Sequence, residues 1–284
     1  MACRSAFLIG GLAAACAADL SAIHDDAASL VQVGTRARQA SGQHDLVMAY
    51  VPFNFGNGIA RSVTEEKWGD QSEMAETKSS IGCQMMYTPG KLWPKDLAEK
   101  YFGNRTIFGI LRDPYERMVA QFRGMGRFEH MGLFLKCDVN SAIKAMLKEY
   151  EANPYAKNCR FLPQAEFFEG PYGASLPVDN LEFPKSVNSM LAEHGYGENR
   201  VDVHKIRHVA GCDSTWAGDL DSETRQLIQK VYAKDFELIC KHFGRCDHET
   251  SRCIQGVPGM CPPSLFLWNK ERDLWEPKSV AASH

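Results

Sequence analysis

No Gly-Lys-Ser/Thr triplet, no Cys-x-x-Cys pair, no internal repeat and no low-complexity tract occur in this chain. The first absence disfavours a Walker A phosphate loop and, with it, a P-loop kinase. The second removes the ligand spacing of structural zinc sites from a chain that nevertheless has 10 cysteines. Excess basic charge is also missing: 32 Lys and Arg against 35 Asp and Glu give a formal charge of −3. No global field for nucleic acid exists, so any anion must be held by local cations. The apolar run at residues 6–18 is shorter than the roughly 20 residues of an ordinary spanning helix.

What is present fits one large domain with appendages. At 284 residues and 44% apolar content the chain can build a substantial core. Arg4, the run 6–18 and small residues at Ala15 and Ala17 predict a signal peptide cleaved near Ala17–Ala18. A short signal anchor and an organelle-targeting peptide are the competing readings. Membrane association is expected only through this segment. Its removal takes away Cys3 and Cys16 and leaves an even set of cysteines, as an oxidising compartment allows. Cys240, Cys246, Cys253 and Cys261 crowd together, and one or two local disulfides are expected there. Reduced thiols in a cytosolic protein are the alternative.

Residues 19–43 are rich in Ala, Asp, Ser and Gln and read as a stem. Residues 46–51 predict a first buried strand, followed by a loop at 52–58 and a helix over 59–67. A second strand is expected at 81–87, a short helix at 93–102 and a helix at 141–151 with Ala142, Ile143, Met146, Leu147 and Tyr150 on one face. Further on, 187–194 reads as a helix, 201–209 as a strand and 222–232 as a helix capped by Ser222. Residues 253–284, rich in Pro, Gly and Trp, predict an irregular cover. Alternating strands and helices point to a parallel sheet.

The richest stretch is Ile107-Phe108-Gly109-Ile110-Leu111-Arg112-Asp113-Pro114-Tyr115-Glu116-Arg117. A buried strand ends in a charged turn and enters a helix that Asp113 can cap, with Pro114 in its first turn. Arg112 then stands at the carboxyl end of a strand, where open α/β sheets bind ligands. A planar, permanently charged fork there suits a phosphate. Pro52, Phe53, Asn54, Phe55, Gly56, Asn57 and Gly58 form a second candidate, a Gly-containing turn that can cradle phosphate on backbone N–H groups. A third is the turn Asn158-Cys159-Arg160-Phe161-Leu162-Pro163-Gln164, which can bring Arg160 and an amide toward a sugar or nucleotide.

These segments, in this order, resemble the sulfotransferases that use 3′-phosphoadenosine 5′-phosphosulfate (PAPS), and most closely the Golgi carbohydrate enzymes. Arg112, Asp113, Pro114, Arg117, Phe122 and Arg123 match the family's 3′-phosphate segment, with Ala120 where the family has Ser. Val51-Pro52 matches the start of the 5′-phosphosulfate loop, but the family's Lys is replaced by Phe53 or Phe55. Lys67, Lys78 and Arg61 are the nearby cations that would have to substitute. The Asn158–Gln164 turn resembles a family Asn-x-x-x-x-Pro-Gln. Tyr232-Ala233-Lys234-Asp235-Phe236-Glu237 resembles a closing helix in which Val231, Phe236 and Leu238 bury while Lys234 and Asp235 stay exposed.

The resemblance spans about residues 45–245 and implies an α/β fold: a P-loop-like parallel sheet flanked by helices, in one sulfotransferase-type domain with an irregular Cys-rich C-terminal segment. The implied division is 1–18 leader or anchor, 19–43 stem, 44–250 domain and 251–284 extension. It also implies a secretory protein, Golgi-lumenal or secreted, that binds PAPS and its product adenosine 3′,5′-bisphosphate through residues 52–58, Arg112 and Ala120. Arg160 and Gln164 would meet a glycan or small-molecule acceptor, whose hydroxyl or amine receives the sulfuryl group. Candidate bases are Glu65 and Glu66, after the donor loop, and His130. The family's strand Gly-His is Gly82-Cys83 here. His204 and His208 sit in a strand-like pattern, and no metal is expected. A catalytically impaired relative that binds nucleotide or glycan is the alternative function.

Overall fold

Leu46, Val47, Met48 and Ala49 form an unbroken apolar run, and all four are buried. Such a run predicts a strand covered on both faces. The computed structural model describes residues 45–62, 74, 76–203, 206, 211–269 and 274–277. The residues from His44 onward belong to one compact unit. Strand β1 (Leu46–Ala49) pairs in parallel with β2 (Thr106–Leu111), which pairs in parallel with β3 (Leu176–Asp179). The sheet order is β1-β2-β3.

Alternation along the strands divides the core. Leu46, Met48, Phe108, Ile110 and Val178 face one side, against Phe183, Val187 and Leu191, where helix Lys185–Glu193 packs. Val47, Ala49 and Ile107 face the other side, against Trp93, Ala98 and Phe102 around helix Lys95–Tyr101. Gly109 opens that second face to an aromatic neighbour: a Cβ there would lie 2.7 Å from the Phe168 ring. A third core joins Tyr115, Phe122, Met146, Leu147, Ile228 and Phe236.

The α-helices that lie wholly within the described residues are, in chain order, α1 (Gly56–Ser62), α2 (Lys95–Tyr101), α3 (Pro114–Glu129), α4 (Met131–Phe134), α5 (Val139–Ala152), α6 (Lys185–Glu193), α7 (Ser222–Val231) and α8 (Ala233–Phe243). The molecule is therefore mixed α/β, with a small parallel sheet flanked by helices. Among the described residues, no helix is long and apolar enough to cross a membrane.

Several expectations need correction. The expected strand at 81–87 is a turn followed by a 3-10 segment, Met85–Tyr87. Gly82 adopts a φ of 82° and its N–H returns to Ser79 O at 2.9 Å, so the chain reverses where a strand would continue. Among the described residues a single bridge, Lys78 to Gln84, lies outside the named strands. No strand appears among the described residues of 201–209. The third strand is instead Leu176–Asp179, whose Pro177 pairs opposite Gly109. Pro177 lacks a ladder donor, which hides the strand from its sequence and suits a sheet edge. α1 starts three residues earlier than expected, and 63–70 lie outside the described residues. The cap of α7 is Asp221, not Ser222: its Oδ1 accepts from Thr224 N at 2.7 Å. The C-terminal cover is not wholly irregular, since β4 (Phe266–Asn269) and β5 (Leu274–Pro277) form an antiparallel pair. Asp235, expected on the surface, is fully buried.

Four cysteine pairs stand at disulfide distance: Cys83–Cys159, Cys137–Cys212, Cys240–Cys246 and Cys253–Cys261. The last two are the local pairs foreseen near the C-terminus. Such a set is typical of secreted or lumenal proteins. The expected leader and stem, 1–18 and 19–43, lie outside the described residues.

Candidate functional site

β2 ends at Leu111, and the chain turns at once into α3. Asp113 makes that turn: its Oδ1 accepts from Tyr115 N at 3.0 Å and Glu116 N at 3.2 Å, and Pro114 takes the first helical position. A cap of this kind is worth about 1 kcal/mol. It fixes Arg112 at the carboxyl end of the sheet's central strand, with 3% of its surface exposed.

The loop after β1 meets Arg112 there. Arg112 Nη1 donates to Phe53 O at 2.7 Å, and its guanidinium lies 5.0 Å from the centre of the Phe55 ring. Phe53 and Phe55 both hold positive φ, 66° and 63°. For a bulky residue this conformation costs on the order of 1–3 kcal/mol, and such strain collects at ligand sites. Gly56 follows because nothing larger fits: a Cβ would lie 2.5 Å from the Tyr50 ring. The N–H groups of Gly56 and Asn57 have no acceptor among the described residues.

These segments enclose a cavity of about 330 Å³. Pro52, Phe53, Phe55, Gly56, Asn57, Gly58, Arg112, Ala120 and Arg160, all candidates from sequence, line it. So does Arg123, named from sequence as part of the 3′-phosphate segment, and so do Tyr50, Tyr87, Glu116, Trp216 and Met260, which the sequence had not pointed to. Glu116 had only a weak local signal, because Arg112 precedes the cap of α3 and helical spacing does not by itself bring the two together. Its Oε2 accepts from Arg112 Nε at 3.0 Å. Burial pushes the Glu116 carboxyl up, against the pull of Arg112. Met260 had no local signal; its Sδ lies 3.5 Å from Arg112 Nη2.

Among the described residues three guanidiniums reach the cavity, and each is held differently. Arg112 is paired with Glu116. Arg123 donates to Gly259 O at 3.0 Å and lies 3.6 Å from Asp213, and burial lowers its pKa against the opposing Asp213. Arg160 lies 5.0 Å over the Tyr87 ring and 3.9 Å from Glu129. Arg117, by contrast, is a strut. Its Nε donates to Pro52 O, and its Nη2 to Arg160 O and Leu162 O, tying the two loops together.

Two candidates lie beneath the cavity, not in its wall. Gln164 is fully buried, and its Oε1 accepts from Arg112 N at 2.9 Å and from Asn54 Nδ2 at 2.5 Å. Its Nε2 donates to Arg112 O at 2.7 Å and to Asp235 Oδ2 at 3.3 Å. Asn54 Nδ2 also donates to Ile110 O at 2.7 Å. These amides brace the site from below. His130 ends α3 outside the cavity lining, 3.9 Å from Glu149. Glu65, Glu66, Lys67, His204 and His208 lie outside the described residues, as does the side chain of Arg61. Lys78 is exposed and does not line the cavity.

Irregular segments form much of the wall, and disulfides pin them. Cys159 directly precedes Arg160, Cys261 follows Met260, and Cys212 lies just before Thr215 and Trp216. Lys157, Asn158 and Cys159 all hold positive φ, from 51° to 63°. Cations, aromatic rings and unpaired backbone donors together can hold a ligand with anionic groups and a planar or sugar-like body. Among the described residues, no group of three His, Cys, Asp or Glu side chains could hold a metal ion. Comparison of the chain with models of known protein families, with curated proteins and with solved structures found no match.

Proposed function

We propose that the cavity binds PAPS and that the chain is a secretory-pathway sulfotransferase, Golgi-lumenal or secreted. Its acceptor would be a hydroxyl or amine of a carbohydrate or small molecule. The observation that carries this reading is the convergence of Arg112 and the 52–58 loop on one cavity. The resemblance gives those two segments to the 3′-phosphate and the 5′-phosphosulfate. The donor set fits such a nucleotide: guanidiniums for the phosphates, backbone N–H groups at Gly56 and Asn57, and aromatic faces for the base. The bound donor supplies an activated sulfuryl group, whose transfer, like phosphoryl transfer, needs positioning and charge stabilisation above all.

In this reading Arg112 and Arg123 hold the 3′-phosphate. Arg160 stands in for the family's absent Lys, with Glu129 at 3.9 Å as its counter-charge among the described residues. Burial raises the Glu129 carboxyl, against the pull of Lys157, Arg160 and His130. Ala120 supplies no hydroxyl, so the 3′-phosphate rests on guanidiniums alone.

One observation favours the second reading, ligand binding without turnover. Among the described residues no lysine lines the cavity. The two readings separate in one experiment. Adenosine 3′,5′-bisphosphate titrated into the purified protein by calorimetry is expected to bind with a dissociation constant on the order of micromolar. PAPS with a panel of hydroxylated and aminated acceptors is expected to release the bisphosphate only when acceptor is present. Binding without acceptor-dependent release selects the second reading. A folded protein that binds no bisphosphate removes the sulfotransferase reading and nucleotide binding, and leaves only glycan binding.

A further inference from the structure

The edge of the sheet away from the cavity holds a short motif of a different kind. Asn104-Arg105-Thr106 is an Asn-x-Thr tripeptide without proline, the acceptor pattern for N-linked glycan, and it occurs once in the chain. Transfer requires the lumen, where disulfides also form. The four cysteine pairs are thus an independent sign of the same compartment.

The geometry suits a bulky modification. Asn104 is exposed in the turn between α2 and β2, where Arg105 N donates to Phe102 O at 3.0 Å. Among the described residues its amide has no hydrogen-bond partner. Lys95, Asp96, Glu99 and Lys100 of the preceding helix are exposed as well, so the surroundings are polar and open. Thr106 starts β2, where its N–H donates to Asp45 O at 2.7 Å. Arg112 follows the opposite end of the same strand. Six strand residues at about 3.3 Å each separate the two by roughly 20 Å. A glycan on Asn104 would leave the sheet's amino edge and keep clear of the cavity at its carboxyl edge.

We infer that Asn104 carries an N-linked oligosaccharide, an assignment that rests on the lumenal part of the reading above. The sugar donor is an oligosaccharide linked to a lipid pyrophosphate. Asn104 Nδ2 bonds to the anomeric carbon, and the bond from that carbon to the pyrophosphate oxygen breaks. The lipid pyrophosphate leaves with the electron pair, the amide proton passes to a base of the transferring enzyme, and nothing is oxidised or reduced. Thr106 enters the β1–β2 pairing once the chain has folded.

The full chain expressed in secretory eukaryotic cells tests this. Its gel mobility is compared before and after a peptide N-glycosidase, beside N104Q and T106S, and free thiols are counted in the same samples. A single glycosidase-sensitive shift, kept in T106S and lost in N104Q, is expected, with N104Q still folded and its cysteines paired. Paired cysteines without a shift would overturn the glycan and leave the lumenal reading standing. Free thiols without a shift would overturn both. A shift that persists in N104Q would overturn the assignment to Asn104.

Discussion

Asp235→Ala is expected to lower unfolding stability by about 3–5 kcal/mol, seen as a large fall in the urea midpoint. The side chain is completely buried. Its Oδ2 accepts from Gln164 N at 2.9 Å, and its Oδ1 from Ala165 N at 2.8 Å. Burial pushes the carboxyl up, while Arg117 and these donors pull it down. Arg117 is itself 1% exposed, and its Nε and Nη2 donate to neutral main-chain carbonyls. Removing Asp235 strands that guanidinium without its nearby counter-charge and leaves two buried N–H groups unpaired. Unpaired buried donors alone cost about 1–3 kcal/mol each. Asp235→Asn keeps the volume and one acceptor and should fall between alanine and wild type. Glu237→Ala, on the exposed side of α8, should stay within about 0.5 kcal/mol. A D235A midpoint equal to that of E237A would show that the carboxylate is not part of the stabilising network.

Arg112→Ala is expected to weaken adenosine 3′,5′-bisphosphate binding by about 100-fold, roughly 2.8 kcal/mol. Two or more charge-assisted hydrogen bonds to a phosphate account for a loss of that size. A further effect comes from Glu116, which without Arg112 becomes a buried carboxylate facing the anion. Glu116→Gln works in the opposite sense. It frees Arg112 from its internal partner and should tighten binding near neutral pH. Burial raises Glu116, so wild-type affinity should fall as pH rises through its folded pKa, where the carboxylate begins to compete for the guanidinium. E116Q should lack that part of the pH dependence. The ligand's own ionisation is common to both proteins and cancels in their ratio. If R112A binds as tightly as wild type, Arg112 does not hold the anion.

Asp235 also shows where the sequence stops being informative. Its neighbours Phe236 and Ile239 carry the periodicity of α8, and a charged residue beside them reads as solvated. What buries it is the turn at Gln164 and Ala165, about 70 residues earlier, which no local pattern reveals. Gln164 failed in the mirror sense: read as facing a ligand, it faces the backbone of Arg112. Arg112, Asp113 and Pro114 were legible because strand end, cap and helix start are adjacent in the chain. The loop at 52–58 was legible as a turn, but not the positive φ of Phe53 and Phe55, which glycine would have advertised and phenylalanine conceals. β3 was hidden by Pro177, and Met260 reaches Arg112 only through tertiary folding.

The cysteine pairs carry a consequence for how the chain is made. Cys137 lies between Cys83 and Cys159, and Cys159 lies between Cys137 and Cys212, so the two long cross-links interlock. A chain emerging from the ribosome offers Cys83 the wrong partner, Cys137, before the right one exists. Eight cysteines allow 105 full pairings, and only 3 of them close both overlapping loops around the wall that carries Arg160, Thr215 and Trp216. An early Cys83–Cys137 pair would have to be reopened by thiolate attack before either long native link could close, so thiol–disulfide exchange is the route by which vectorial synthesis can still reach this connectivity.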